Sequence, residues 1–283
     1  MKYALDEQEV KKLKRIANEI RATALQMIFK AGSGHPGGML SCADILTFLY
    51  EKELRFRPLE PDWMDRDRLV LSKGHACPIL YAELARLGFF PKKLLMSLRR
   101  VGSILQGMPN MRMTPGVDMT TGSLGIGFSA AVGMALAAYM GKSEARVYAI
   151  TGDGEIAEGI FWEGALFAAH NSLRNLICFL DHNGFSSDTE VKKVLNVEPY
   201  ADKLLAFGWN VMEIDGHDFV QIAKSLDDAH HSNKPTFIIA HTIKGKGVSY
   251  MENDPAWHGS LALSAGQLQR ALEDLGVVNE EDG

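Results

Sequence analysis

Apolar and polar positions alternate along the chain with two different periods. Near the N-terminus, Leu13, Ile16, Ile20 and Met27 recur at the spacing of one helix face with charged residues between them, which predicts an amphipathic helix. Beyond residue 145, short runs rich in apolar residues predict four strands: RVYAIT, NLICFLD, WNVMEI and PTFIIAHT. Further stretches predict the helices between and after these strands, near 158–171, 199–207, 218–230 and 264–276.

Strands that alternate with helices predict an α/β fold, a doubly wound and mostly parallel sheet with helices on both faces. In the first half of the chain, DRLVLSKGHA predicts one more buried strand that ends in a loop, and ACPILYAELARLG predicts the helix after it. Helices are also predicted from Ser41 to about Leu54 and from Phe128 to Met140. The stretch 102–127 is rich in Gly, Pro and Met, and its apolar content predicts an ordered loop.

Composition narrows the possible classes of protein. The 283 residues include 46% hydrophobic and 23% charged residues, which is typical of a soluble globular protein. The net charge of −5 argues against a general nucleic-acid binder, and the absence of 18 consecutive apolar residues argues against a membrane span. Cys42, Cys77 and Cys178 form no CxxC pair, which favours reduced thiols in the cytoplasm. Charges interrupt the N-terminal apolar stretches, so no signal peptide is expected there.

Two of the predicted strands end in turns that carry oxygen ligands. Asp153 in GDG follows RVYAIT, and Asn183 follows NLICFLD about thirty residues later. An Asp-Gly pair alone is most often a simple turn. Ligands in such sheets bind beyond the carboxyl ends of the strands, and hard cations such as Mg²⁺ take carboxylate, amide and carbonyl oxygens together with phosphate. We therefore expect Asp153, Asn183 and the Phe185 carbonyl to bind a cation beside a diphosphate.

The two turns resemble the thiamine diphosphate and metal-binding signature. Five longer segments, one of which extends the GDG motif, make this resemblance more specific. In chain order they are KAGSGHPGG, LSKGHACPILYAEL, PGVDMTTGSLGIG, GDGEIAEGIFWE and PAWHGS. This ordered set is similar to the diphosphate-binding half of transketolases and covers nearly all of the chain. The resemblance implies one thiamine diphosphate-binding domain over residues 1–283.

The resemblance also implies a role for individual residues. The implied metal ligands, for Mg²⁺ or Ca²⁺, are Asp153, Asn183 and the Phe185 carbonyl. The implied thiamine diphosphate contacts are His75, Gly122, Leu124, Gly154, Asn183 and His258. The implied catalytic residues are His35, His258 and Glu158. Of these, His35 would face the substrate hydroxyls and assist proton transfer, whereas Glu158 would link the active sites of a dimer together with Glu163.

Some positions leave alternatives open or depart from the family pattern. The turn IKGKG suits a basic loop that steers phosphate as well as it suits a solvated turn. Met108 and Ile126 stand where most transketolases have histidine and glutamine. The usual histidine touches both the cofactor and a ketose hydroxyl, but a thioether neither donates a hydrogen bond nor carries a proton. Met108 therefore indicates an unusual donor or acceptor sugar, or a replacement donor on a partner chain.

The resemblance implies transfer of a two-carbon ketol unit from a ketose phosphate to an aldose phosphate, as in the pentose phosphate pathway. Because the pyrimidine-binding and C-terminal domains of transketolases are missing from this sequence, we expect them on a separate C-terminal subunit. An α2β2 assembly is then expected, and the chain alone should be inactive. Three alternatives remain: a split transketolase-like enzyme for an unusual sugar phosphate, the alpha subunit of a 2-oxo acid dehydrogenase, and a non-catalytic cofactor-binding subunit.

Overall fold

A parallel sheet forms the centre of the computed structural model, which describes residues 3–259 and 261–277. Its strands lie in the order β1-β2-β3-β7-β6, and every neighbouring pair is parallel. They are β1 (Arg68–Leu71), β2 (Val147–Gly152), β3 (Leu176–His182), β6 (Asn210–Asp215) and β7 (Thr236–His241). A small antiparallel hairpin lies apart from this sheet and comprises β4 (Phe185–Ser186) and β5 (Thr189–Glu190).

Helices cover both faces of the sheet, as the sequence predicts. Those with core residues on one face are α1 (Glu7–Ala31), α2 (Pro36–Ser41), α3 (Ala43–Phe48), α4 (Cys77–Arg86), α9 (Phe219–His231) and α10 (Ala265–Asp274). Those on the other face are α5 (Ile126–Met140), α6 (Gly159–His170), α7 (Val191–Val194) and α8 (Tyr200–Phe207). Side chains of β2 alternate between the two cores: Tyr148 and Ile150 join the first, whereas Val147 and Ala149 join the second.

One helical segment differs from its prediction. The helix expected from Ser41 to about Leu54 begins earlier, at Pro36, and breaks at Cys42, after which α3 continues into a π-helical turn over Leu49–Glu53. Proline at the first helical position is pre-organised for this start. Glycines 37 and 38 follow it inside α2, although glycine disfavours helices. Close packing explains Gly37, since a Cβ there would lie 2.8 Å from the Trp257 carbonyl oxygen.

The Gly-rich stretch 102–127 is an ordered loop up to the start of α5. The Tyr81 hydroxyl donates to the carbonyls of Gln106 and Met108 at 3.0 and 3.1 Å. The Asp118 carboxylate accepts the backbone N–H of Leu69 at 2.7 Å, which ties the loop to β1. These contacts fix the backbone that carries Met108 and Gly122 toward the carboxyl edge of the sheet.

The carboxyl ends of β2, β3 and β7 lie side by side. In the strand register, Gly152 of β2 pairs with Asp181 of β3, and His182 pairs with His241 of β7. The turns that follow these strands therefore meet at one edge of the sheet. Among the helices of the described residues, none is long and apolar enough to cross a membrane.

Candidate active site

A cavity of 210 Å³ opens at this edge of the sheet. It gathers residues that lie far apart in the sequence, from the N-terminus of α2 to the segment after β7. The sequence-predicted residues that line it are His35, His75, Gly122, Leu124, Asp153, Gly154, Asn183, Phe185 and His258. Met108, the departure from the family pattern, lines it as well.

The carboxylate of Asp153 is buried and held from two sides. Its Oδ1 lies 2.6 Å from Nδ1 of His182, and its Oδ2 accepts the backbone N–H of Gly184 at 2.7 Å. Each oxygen thus accepts one hydrogen bond within the described residues and retains a lone pair. Asn183 lies beside it, and its side-chain oxygen accepts the Phe185 N–H at 3.2 Å.

This arrangement suits a hard cation. Among the described residues, no group of three His, Cys, Asp or Glu side chains could hold a metal ion. A cation in the cavity would therefore depend on the carboxylate of Asp153 with amide and carbonyl oxygens. Mg²⁺ is commonly bound by one or two carboxylates together with phosphate oxygens, so the donor set fits Mg²⁺ or Ca²⁺ better than zinc.

A buried ion pair lies beside Asn183. The Lys73 ammonium contacts the Asp181 carboxylate and donates to the Gly38 carbonyl at 2.7 Å. Asp181 also accepts hydrogen bonds from Thr242 at 2.6 Å and from the Asn183 amide at 3.3 Å. Burial is the largest single influence and lowers the pKa of Lys73, but the charge and hydrogen bond of Asp181, together with the Cys42 and Asp153 charges, outweigh it and the net shift is upward. Lys73 therefore stays charged at the wall of the cavity.

Three histidines form a cluster in the wall of the cavity. The ring centroids of His35, His75 and His258 lie 5.3 to 5.5 Å from one another. Burial and the nearby Lys244 charge lower the pKa of His258 to about 4, and burial with the Lys73 charge holds the pKa of His75 well below its usual range. Burial and the Arg99 charge also lower the pKa of His35. All three imidazoles are consequently neutral at pH 7.

An unsatisfied atom in this cluster indicates that a ligand completes the site. The Nδ1 atom of His35 is buried and has no hydrogen-bond partner within the described residues. Buried polar atoms in native proteins are almost always paired. A polar ligand in the cavity would therefore remove this deficit.

Two glycines of the cavity wall have little room for a side chain. Gly122 has φ +154, and a Cβ there would lie 3.2 Å from the Cγ of Met108. A Cβ at Gly154 would lie 2.5 Å from the hydroxyl oxygen of Ser186. The main chain at both positions can therefore approach a ligand closely, which fits the aminopyrimidine contact expected at Gly122 and the diphosphate contact expected at Gly154.

Sequence reasoning left the role of Lys244, the first lysine of IKGKG, open between a basic loop that steers phosphate and a solvated turn. This side chain is almost fully buried in the cavity wall, where it donates to the Ser187 carbonyl at 2.5 Å and lies 3.5 Å from Nδ1 of His258. Burial and the Lys73 charge lower its pKa to about 8. Lys246, by contrast, pairs with Glu252 nearer the surface. The two lysines look equivalent in the sequence, and only the packing of the turn distinguishes them.

Sequence reasoning missed Glu155, which follows the GDG motif. Its buried carboxylate accepts hydrogen bonds from the Ser72 hydroxyl and from the N–H groups of Gly125 and Gly152, the latter two at 2.8 and 3.2 Å. Burial raises its pKa despite these bonds. Glu155 therefore connects the loop that carries Leu124 to the turn expected to hold the diphosphate.

Glu158, Glu163 and Ile126 do not line the cavity. Glu158 is the N-cap of α6 and Glu163 lies within that helix, and both are exposed to solvent. Ile126 begins α5 and is 41% exposed. The predicted interface role of the two glutamates stays a prediction. Ser260, the last residue of PAWHGS, lies outside the described residues.

The family comparison agrees with this site. The family described as transketolase, thiamine diphosphate binding domain, matches residues 12–282. The chain belongs to the transketolase family. The resemblance carried by the sequence motifs and the parallel α/β fold with helices on both faces are both confirmed.

Known relatives fall into two groups by length. The chain is 47% identical to the 6-deoxy-6-sulfo-D-fructose transketolase subunit SqwG of Clostridium sp. over 96% of its length and 98% of that protein. It is 37% identical to an apulose-4-phosphate transketolase subunit of Phocaeicola vulgatus, over 94% and 95% of the two chains. The rat transketolase is 41% identical, but the chain covers only 40% of that protein.

A solved structure agrees in fold. The crystal structure of transketolase from Campylobacter jejuni superimposes with a TM-score of 0.90 at 36% identity, over 94% of this chain and 43% of that one. The described fold is therefore that of one part of a transketolase chain.

Proposed function

We propose that this chain provides the diphosphate- and metal-binding half of a transketolase active site. Together with a C-terminal subunit, it transfers a two-carbon ketol unit from a ketose phosphate to an aldose phosphate. The observation that carries this proposal is the convergence of Asp153, Asn183, Lys244 and the histidine cluster on one cavity at the ends of parallel strands.

Thiamine diphosphate, when bound, supplies the carbon nucleophile, and the protein binds and orients it. Asp153, Asn183 and the Phe185 carbonyl would hold Mg²⁺ or Ca²⁺ against the diphosphate. Positive charge on Lys244 and Lys73 offsets the charge of the phosphates. The N–H of Gly154 and the imidazoles of His75 and His258 donate hydrogen bonds to phosphate oxygens.

Residues on the substrate side have a different task. His35 is neutral at pH 7, so its unpartnered Nδ1 can donate or accept one hydrogen bond with a substrate hydroxyl, depending on the tautomer. A neutral imidazole can also accept a proton from that hydroxyl and return it. His258 packs against His35 and lies beside Lys244, so it can contact diphosphate and substrate together.

The partner is a second protein chain that carries the pyrimidine-binding and C-terminal domains. Two relatives of nearly the same length as this chain are named as subunits, whereas the chain covers 40% of the rat transketolase. We expect an α2β2 assembly with no activity of this chain alone. The three cysteines are buried and unpaired, which supports a reducing compartment such as the cytoplasm.

An unusual sugar phosphate is the favoured substrate. Met108 lines the cavity where most transketolases have a histidine, and two of the relatives are named for a sulfonated ketose, 6-deoxy-6-sulfo-D-fructose, and for apulose 4-phosphate. The family match favours a transketolase over a 2-oxo acid dehydrogenase component, and the intact cavity disfavours a non-catalytic role. An assay of the reconstituted pair identifies the individual donor and acceptor.

Reconstitution with the partner tests the proposal. The polypeptide that co-purifies with this chain is identified, and the pair is assayed for ketol transfer with a panel of ketose and aldose phosphates. We expect transfer by the pair that requires thiamine diphosphate and a divalent cation, and none by either chain alone. Turnover by the purified chain without a partner would contradict the split active site, and absence of transfer by the pair would contradict the proposed activity.

A further inference from the structure

His182 is a residue at the site to which neither the motifs nor the proposed function gives a role. It is the last residue of β3, and its neighbour Asp181 faces the Lys73 network because successive side chains of a strand point to opposite sides. The imidazole of His182 turns instead toward the Asp153 carboxylate. Its Nδ1 lies 2.6 Å from the Asp153 Oδ1.

The direction of this hydrogen bond follows from its chemistry. A carboxylate oxygen only accepts, so Nδ1 of His182 carries the proton and donates it to Asp153. The other ring nitrogen, Nε2, faces the Glu198 carboxylate at 3.9 Å, and Glu198 in turn pairs with Lys192 at 2.9 Å. The imidazole thus connects a carboxylate near the surface to the buried carboxylate at the cavity.

Aromatic neighbours fix the ring in this orientation. Tyr200 meets the His182 ring edge-on at a centroid distance of 5.4 Å, and the His241 ring lies at 5.0 Å. On its other side, the Asp153 carboxylate is held by the Gly184 N–H at 2.7 Å. With one donor on each oxygen, the carboxylate has a defined rotation and aims its remaining lone pairs in defined directions.

We propose that His182 is a positioning residue for the divalent cation, which orients the Asp153 carboxylate through the Nδ1 hydrogen bond. This inference rests on the proposed function, because it requires a cation at Asp153. Hydrogen bonds to the ligands of a metal commonly contribute 10- to 100-fold in metal affinity, since they hold the ligand in the geometry that the ion needs. His182 touches neither cofactor nor substrate in this assignment.

Substitutions that keep or remove the donor test the proposal. In His182→Asn, the side-chain amide N–H lies near the position of Nδ1 and can still donate to Asp153. In His182→Gln, the amide N–H reaches the position of Nε2 instead of Nδ1. In His182→Phe, a ring remains between Tyr200 and His241 but has no hydrogen-bond donor. His241→Phe is the matched control, because His241 packs on the same ring but pairs with the exposed Glu213 at 2.9 Å.

The measurement is Mn²⁺ binding to this chain paired with its C-terminal subunit, in the presence of thiamine diphosphate. The electron paramagnetic resonance signal of free Mn²⁺ reports the binding. We expect the Mn²⁺ Kd to rise about 10- to 100-fold in His182→Phe and His182→Gln. It should stay within about threefold of the original value in His182→Asn and in His241→Phe. Saturating Mn²⁺ should restore thiamine diphosphate binding in the weak variants.

Two results would overturn the inference. One is a Mn²⁺ Kd unchanged in both His182→Gln and His182→Phe; if the latter does not fold, the comparison of the Gln and Asn variants decides. The other is an equal loss in the Asn, Gln and Phe variants, which would show that the ring only packs. Unsubstituted protein that binds no Mn²⁺ with thiamine diphosphate would instead contradict the proposed function, and this inference with it.

Discussion

At the scale of single residues, burial converts ordinary side chains into a binding site. Asp153 is only 2% exposed, and the neighbouring lysines lie in a wall where water screens little of their charge. A divalent cation compensates the charge of the carboxylate, and a ligand with two or three negative charges compensates the positive charges. Among the apolar side chains of this wall, Met108 is the most informative one to replace by a polar group.

Replacing Met108 by histidine tests substrate choice. Met108→His supplies the donor that most transketolases have, and one hydrogen bond to the substrate is worth up to about 1.5 kcal/mol, or about tenfold in rate. We therefore expect kcat/KM of the pair for common ketose phosphates to rise by up to tenfold. Met111→His is the control, because Met111 lies in the same loop, is 49% exposed and does not line the cavity. Unchanged kcat/KM in Met108→His would show that residue 108 does not meet the substrate.

His258 provides a prediction for pH. Its folded pKa of about 4 is below the unfolded value of 6.5, so the unfolded chain binds more protons between these values and stability falls as the pH drops below 6.5. Between pH 7 and pH 5, the free energy of unfolding of His258→Asn should fall by about 1 kcal/mol less than that of the original protein, after allowance for the partial exposure of the imidazole. Thermal unfolding at both values measures this, with the exposed His170→Asn as control. Parallel pH profiles of His258→Asn and the original protein would contradict the assignment.

The sequence predicts the polar residues of the cavity better than it predicts their partners. Asp153, Asn183 and the three histidines sit in recognisable motifs, and all of them line the cavity. Lys244 and Glu155 lie within or beside the same motifs without any local feature that distinguishes them from exposed neighbours. Their burial depends on which turn packs against which, and a single sequence does not encode that contact as a periodic pattern.

At the scale of elements, the turns after the strands place the reactive groups. The predicted strands and most helices are present within a few residues of their expected bounds, because long periodic segments specify them. The sequence does not predict the hairpin of β4 and β5, since two-residue strands are too short for alternation to be visible. Its first strand nevertheless carries Phe185, so the carbonyl proposed as a metal ligand lies on an element without a sequence signature.

The turn after β7 depends on Gly245. This residue has φ +78, its N–H donates to the Gly37 carbonyl at 3.0 Å, and a Cβ would overlap the Met251 carbonyl oxygen. We expect Gly245→Ala to lower the free energy of unfolding by about 1–3 kcal/mol and to weaken thiamine diphosphate binding through displacement of Lys244. Chemical denaturation and calorimetric titration measure the two effects.

Gly266→Ala is the matched control for that substitution. Gly266 lies in α10, has no atom within 4 Å of an added Cβ and needs no left-handed conformation. Alanine there should be neutral or stabilising by up to about 1 kcal/mol, because it reduces the freedom of the unfolded chain. A Gly245→Ala protein as stable as the control, with unchanged cofactor affinity, would contradict the role of the turn.

At the scale of the whole molecule, exposed apolar side chains lie on two adjoining helices. On α5, Met140 is 72% exposed, and on α6, Leu166 and Phe167 are 53% and 46% exposed. Helix α6 also carries Glu163, and Glu158 caps it, so the residues expected to link two active sites lie on the same element. Apolar surface of this kind is typical of an interface, and we expect a second copy of this chain to cover it.

A charge on that surface tests the assembly. Phe167→Glu should reduce the mass of the assembly in sedimentation velocity, because burial of an unpaired carboxylate at an interface is costly. Leu59→Glu is the control, since Leu59 is 92% exposed in the loop before β1, on neither of these helices, and its change should leave the mass as it was. An unaltered mass of the Phe167→Glu assembly would contradict this interface.

The central claim is that this chain binds thiamine diphosphate through a cation at Asp153, and calorimetric titration of the cofactor tests it most directly. With Mg²⁺, the unsubstituted protein should bind thiamine diphosphate, and EDTA should abolish binding because the diphosphate then faces the Asp153 carboxylate without a bridging ion. Asp153→Ala should bind at least about 100-fold more weakly in Mg²⁺. Equal affinity of the two proteins, with or without Mg²⁺, would contradict the claim.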